Sequence, residues 1–173
     1  MKRILVRRPG GHDSLEIVEE ASPSPRAGFV RLRVKAAGVN YADCIVRMGK
    51  YAAAKGLYPI TPGFEAAGIV DAVAPGSRWE IGERAFGLVH FGGYASEILV
   101  REERLWPSPA GWTDGDCAAF PAVFLTAYYG LHRSARSFPG ETVLVHSAAG
   151  GAGAAFVQLA KVHGCRVVGV VGS

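Results

Sequence analysis

The residues with the clearest chemical potential lie in the run Val143-Leu-Val-His-Ser-Ala-Ala-Gly-Gly-Ala-Gly-Ala-Ala-Phe-Val-Gln-Leu-Ala-Lys. Against the pattern G-x-G-x-x-G of dinucleotide-binding turns it reads Ala148-x-Gly150-x-x-Gly153, with alanine in the first slot. The small residues have distinct physical tasks. Gly150 lets the backbone approach a pyrophosphate, Gly153 lets a helix pack closely on a strand, and the helix start offers free N–H groups to the anion. The expected cofactor contacts are Ala148, Ala149, Gly150, Gly151, Ala152 and Gly153. NADH-preferring sites place an acid at the end of the second strand to bind the ribose hydroxyls. Here that strand ends Val168-Gly-Val-Val-Gly-Ser, with Val171 in the acid's place and Ser173 added to the contact set. Nothing there repels a 2′-phosphate, so NADPH is the expected cofactor.

The remaining polar residues narrow the chemistry further. Cys44, Cys117 and Cys165 are too far apart for a Cys-x-x-Cys clasp, and their odd number argues against a disulfide framework. That usage suits a reducing cytoplasm. His12, His90, His132, His146 and His163 lack ligand-like spacing and read as surface or packing residues. With 173 residues, 49% apolar and 20% charged, the chain falls in the globular range. Its net charge of +4 comes from scattered basic residues. The densest group, Lys2, Arg3, Arg7 and Arg8, reads as a solvated strand edge rather than a nucleic-acid surface. The start Met1-Lys-Arg-Ile-Leu-Val-Arg has too short an apolar run for a signal peptide, and no window approaches membrane-spanning length.

These residues need elements to position them. From Lys2 to about Val100 the pattern is of short β-rich runs broken by Gly and Pro: Arg3 to Val6, Leu15 to Glu19, Phe29 to Ala37, Ala67 to Val73, Arg84 to Leu88 and Tyr94 to Val100. Such spacing predicts a small, partly closed barrel. In Phe29 to Ala37 the alternation puts Val30, Leu32 and Val34 on one face and the charges on a wet one. Helix follows at Thr113-Asp-Gly-Asp, with Thr113 as N-cap, and Pro121 should break or restart it. Val123 to Ser134 reads as a second helix with Val123, Ala127 and Leu131 as its apolar stripe. Strand Thr142 to His146, a Gly/Ala turn, helix Ala154 to His163 and strand Arg166 to Val171 make one βαβ unit with parallel strands.

Several further motifs recur in one order: Ala37-Gly-Val-Asn-Tyr-Ala-Asp, Arg47-x-Gly-x-Tyr51, Pro59-x-x-Pro-Gly-Phe-Glu-Ala-Ala-Gly-x-Val, Phe91-Gly-Gly-Tyr-Ala, Thr126-Ala-Tyr-Tyr and Gly140-Glu-Thr-Val-Leu-Val-His-Ser-Ala-Ala-Gly-Gly. With them the chain resembles the zinc-free quinone oxidoreductase branch of the medium-chain dehydrogenase/reductase superfamily, and the related vesicle amine transport protein homologues. The resemblance implies a mixed fold: a GroES-like β-barrel catalytic domain over 1–121, then an incomplete Rossmann α/β domain of one βαβ unit over 122–173. It also implies NADPH as hydride donor, with a quinone or α,β-unsaturated carbonyl as acceptor. Zinc alcohol dehydrogenases draw ligands from a Cys and a His at positions that here hold Asn40 and Phe64. An amide and a phenyl ring cannot replace thiolate and imidazole, so a metal-free site is expected.

Without a metal, hydrogen bonds must polarise the carbonyl, which makes Asn40 and Tyr51 candidate donors to the developing oxyanion. Asn40 is also a candidate cofactor contact. Asp43 either orients Asn40 or Tyr51, or caps the following helix. By the family analogy Thr126 lines the nicotinamide pocket; its bland alternative is a helix threonine bonded to its own turn. Glu65 is expected to hold the barrel together, and Tyr94 with Gly92-Gly93 to form a turn at a strand start.

A full family member is roughly twice as long as this chain, so the sequence reads as a truncated oxidoreductase chain. Two alternatives stand beside that reading: a non-catalytic GroES-like interaction module, and a subunit completed in trans by a partner segment. One βαβ unit leaves Val143, Val145, Val168 and Val170 short of cover, which predicts self-association or a covering segment.

Overall fold

The computed structural model describes residues 1–172 and divides the chain into two compact units, Met1–Ala119 and Phe120–Ser173. The Ser173 expectation lies outside the described residues.

In the first unit, β1 (Lys2–Val6) and β2 (Leu15–Glu19) form an antiparallel pair. Three of the four residues of the basic cluster form ion pairs along this hairpin, Lys2 to Glu19, Arg3 to Glu20 and Arg7 to Glu16. The main sheet has five antiparallel strands in the order β6-β3-β4-β5-β7: β3 (Phe29–Ala37), β4 (Glu65–Val73), β5 (Arg84–Leu88), β6 (Glu97–Arg101) and β7 (Leu105–Pro107). Isolated bridges from Arg3 to Ala95 and from Val6 to Ile60 tie β1 to loops of the same unit.

The alternation in β3 does what the sequence predicts on its apolar side. Val30 and Leu32 are fully buried with Val70, Ala85, Val100 and Leu105, each fully buried Val or Leu contributing about 1.5–3 kcal/mol. On the other face Arg33 and Lys35 are exposed as expected, and only Arg31 departs. Arg31 is half-buried, donating to Asp71 at 2.8 Å and to the Pro23 carbonyl at 3.2 Å, because β4 and β6 flank β3 with acids at Asp71 and Glu97. Register shifts between Arg31 and Leu32 and between Val34 and Ala36 bend the strand. The last strand run also begins later than expected, at Glu97, since Tyr94 belongs to the loop before it.

Helix α1 (Tyr41–Arg47) follows β3, and α2 (Asp114–Ala119) starts where Thr113 predicts. The Thr113 hydroxyl accepts the Asp116 N–H at 3.1 Å while the Asp116 carboxylate accepts the Thr113 N–H at 2.9 Å. The Thr113 hydroxyl and N–H hold the Asp116 carboxyl below the usual carboxylate range.

The second unit opens with α3 (Pro121–Tyr128), which Pro121 does restart. The predicted helix to Ser134 is α-helical only to Tyr128. From Tyr129 to Ala135 it widens into a π-helix that ends at Arg136 in the left-handed conformation. Then β8 (Thr142–His146) and β9 (Arg166–Val170) pair in parallel across α4 (Gly151–Val162). The helix begins three residues before the predicted Ala154, because Gly151, Ala152 and Gly153 form its first turn rather than part of the loop. Its inner face packs Ala160 with Leu131 and Cys165, against Val143, Phe156 and Leu159.

Candidate functional site

Antiparallel pairing of Ala37 with Ala66 brings the turn after β3 against the first residue of β4. The Gly38 N–H reaches the Glu65 carbonyl at 3.3 Å, and the Asn40 carboxamide donates through Nδ2 to Glu65 Oε1 at 2.7 Å. Glu65 is 1% exposed. Only glycine fits at 38: a Cβ there would lie 2.3 Å from Glu65 Oε1 and 2.5 Å from the Ala118 carbonyl oxygen.

Asp43, 5% exposed, is the hub beside this pair. Its Oδ2 accepts the Asn40 N–H at 2.9 Å and the Tyr94 hydroxyl at 2.9 Å, while Oδ1 accepts the Gly63 N–H at 2.8 Å. Of the two sequence readings, the capping contact is present, and orientation reaches Asn40 through its backbone. The third partner is Tyr94, which the sequence placed only in a turn. Burial, reinforced by the Asp43 carboxylate, pushes the Tyr94 phenol up from its ordinary value. A group with a raised folded value contributes stability below its unfolded value and loses it as pH rises through the folded one. Ultraviolet titration should therefore show the Tyr94 phenol ionising above the ordinary tyrosine range, and the stability it contributes should fall as pH rises above about 10. Tyr94→Phe should abolish the late step.

Tyr51 does not join this hub. Its ring packs against Phe64 at 5.5 Å and Phe91 at 6.2 Å, over a cluster of Val6, Val46, Ala54 and Ile60. Phe64 thus belongs to an aromatic group, and Asn40 to a carboxylate pair. Among the described residues no group of three or more His, Cys, Asp or Glu is placed to hold a metal ion.

In the second unit the glycine-rich turn has the close approach that its sequence requires. The Ala148 N–H bonds the Val170 carbonyl at 3.0 Å, and Gly150 N–H returns to the Ser147 carbonyl at 2.9 Å. A Cβ on Gly153 would stand 2.0 Å from that Ser147 oxygen, whereas one on Gly150 would meet it at 3.3 Å. Ala149, Gly150, Gly151 and Ala152 are exposed, at the N-terminal end of α4, where a helix leaves its first N–H groups without intrahelical partners. Val171 is exposed just past β9. The Thr126 hydroxyl donates to the Ala122 carbonyl one turn back at 2.6 Å, on an exposed helix face. His132 and His163 pack edge to face at 4.4 Å, and His163 Nε2 lies 2.8 Å from the Ser137 carbonyl, as packing residues do. No helix among the described residues is long and apolar enough to cross a membrane.

Comparisons with known proteins agree with this architecture. Residues 26–110 match the alcohol dehydrogenase GroES-like domain. The whole chain aligns with quinone oxidoreductase of Rattus norvegicus at 37% identity, covering 53% of that protein. It superposes on the human synaptic vesicle membrane protein VAT-1 homolog-like protein with a TM-score of 0.93 and 34% identity, covering 100% of this chain and 56% of that one. For the quinone oxidoreductase from Thermus thermophilus, solved also in complex with NADPH, the TM-score is 0.87 and identity 39%, covering 100% and 54%. The chain spans about half the length of these relatives. On the motif order, the GroES-like match and the whole-chain likeness to quinone oxidoreductases and VAT-1 homologues, the chain belongs to the medium-chain dehydrogenase/reductase superfamily.

Proposed function

We propose that this chain carries residues for NADPH-dependent reduction of quinones or α,β-unsaturated carbonyls by metal-free hydride transfer. The observation that carries the reading is the Ala148–Gly153 turn, with its exposed backbone at the start of α4 and room at Gly153 for glycine alone. Bound NADPH supplies the hydride. The N–H groups at the start of α4 would bind the cofactor pyrophosphate, together with Ala148, Ala149, Gly150, Gly151, Ala152 and Gly153. Val171 in place of an acid would admit a 2′-phosphate. In the first unit Asn40 would donate to the oxygen on which negative charge develops, with Tyr51 as a second candidate donor and Asp43 holding the Asn40 backbone. Thr126 remains a proposed nicotinamide contact, by way of its exposed helix face.

Calorimetric titration of the purified chain with NADPH and with NADH tests this. Saturable binding that favours NADPH supports it, and turnover of a soluble benzoquinone should survive dialysis against a chelator. A parallel chimera would append the remaining length of the Thermus thermophilus enzyme. If neither protein binds nucleotide, the oxidoreductase reading is lost.

A second reading rests on the β8–β9 sheet, where Leu144 is 57% and Val168 47% exposed. Such a face favours cover by further polypeptide, in the same chain or a partner. Binding by the chimera alone would support that reading.

A further inference from the structure

We infer that Glu65 is a positioning residue which fixes the direction in which the Asn40 carboxamide donates, an inference that rests on the proposed hydride-transfer function. An amide side chain has two ends of nearly equal shape, one donating and one accepting. Something must decide which end faces the reacting oxygen. Glu65 Oε1 accepts from Asn40 Nδ2 at 2.7 Å, so this carboxyl oxygen engages the nitrogen end of Asn40 and takes one of its two N–H bonds. The second N–H is left to an outside acceptor.

Three features make this a fixed arrangement rather than a chance surface pair. Glu65 is 1% exposed, so solvent does not compete for it. The absence of a side chain at Gly38 leaves its carboxyl the space it occupies, with the Ala118 carbonyl closing the other side. The Asn40 backbone is held independently, through its N–H on Asp43 Oδ2 at 2.9 Å. Backbone and side chain of Asn40 are thus clamped by two different buried carboxylates. Asn40 itself is half-buried, between the exposed Val39 and Tyr41, so its amide is not sealed in the core with Glu65.

Two readouts test the inference. The first needs no activity: in nuclear magnetic resonance spectra of the chain, the two Asn40 Nδ2 protons should be widely split and slow to exchange, and Glu65→Met, which offers no strong acceptor, should collapse that signature. An unchanged pair in a folded Glu65→Met overturns the inference. The second is turnover of a soluble benzoquinone with NADPH. Glu65→Gln should lower kcat about tenfold or more, with the quinone KM nearly unchanged. The exchanged pair Asn40→Asp with Glu65→Gln rebuilds a hydrogen bond in the opposite direction, so thermal stability should return towards wild type while kcat stays low. If the exchanged pair recovers turnover as well, Glu65 is only a structural strut. A wild-type protein without turnover would defeat the proposed function, and the resonance experiment would still decide the orientation.

Discussion

Gly153→Ala is expected to unfold the β8–α4–β9 unit or leave it too distorted to bind nucleotide. The added methyl would sit 2.0 Å from the Ser147 carbonyl oxygen and 2.8 Å from its carbon. That carbonyl cannot swing away cheaply. Ser147 already has a left-handed φ of 53°, and the residues around it are pinned by the bonds from Gly150 to Ser147 and from Ala148 to Val170. Relief therefore requires α4 to lift off the turn, with the packing of Ala160 and Phe156 on Leu131 going with it. Overpacking typically costs about 1–3 kcal/mol, and a clash against backbone belongs at or above the top of that range. Thermal unfolding by circular dichroism and calorimetry with NADPH read the effect. Gly150→Ala is the control: its methyl would meet the same oxygen at 3.3 Å, which a small shift accommodates. Equal stability of the two variants would show that the fingerprint glycine at 153 is not a packing requirement.

The second large effect is expected at Asp43. Replacing it with alanine strips the acceptor from the Gly63 N–H, the Asn40 N–H and the Tyr94 hydroxyl together. A buried donor left unsatisfied costs about 1–3 kcal/mol. The Gly63 N–H is buried and the Tyr94 hydroxyl half-buried, so across the three donors a loss of about 3 kcal/mol is expected. Asp43→Asn keeps the shape but turns an amide towards N–H donors, and should fall between alanine and wild type. Tyr94→Phe removes one donor and leaves the carboxylate two, so its cost should be about 1 kcal/mol. Denaturant unfolding of the three variants orders them. The phenol gives a second check, since Asp43→Asn should bring the Tyr94 titration part of the way back towards an ordinary tyrosine, burial supplying the rest. A destabilisation by Asp43→Ala no larger than that of Tyr94→Phe would mean that the hub bears no more than one hydrogen bond.

Much of the fold was legible because its signals are local. Alternation in Phe29 to Ala37 marks β3, Thr113 and Asp116 mark the start of α2, and Pro121 marks the start of α3, each through contacts within a few residues. The start of α4 was misread for a related reason. In Gly151, Ala152 and Gly153 the two glycines carry weak helix propensity, and only packing on β8 and β9 makes the three a helical turn. The π-helix from Tyr129 had no sequence mark at all.

The candidate site divides in the same way. By itself the sequence determined that a small-residue turn joins a strand to a helix and that Asp43 lies within reach of a helix start. Those facts depend on residue type and short spacing. Only the tertiary structure decided that Asn40 donates to Glu65, 25 residues away, that Tyr94 reaches Asp43 across 51, and that Tyr51 turns into a ring cluster instead of joining them. The β3–β4 register brings the turn that carries Asn40 against Glu65, while packing of α1 against the loops that carry Gly63 and Tyr94 brings Asp43 its partners; both depend on which faces of the whole unit are buried together rather than on any one segment.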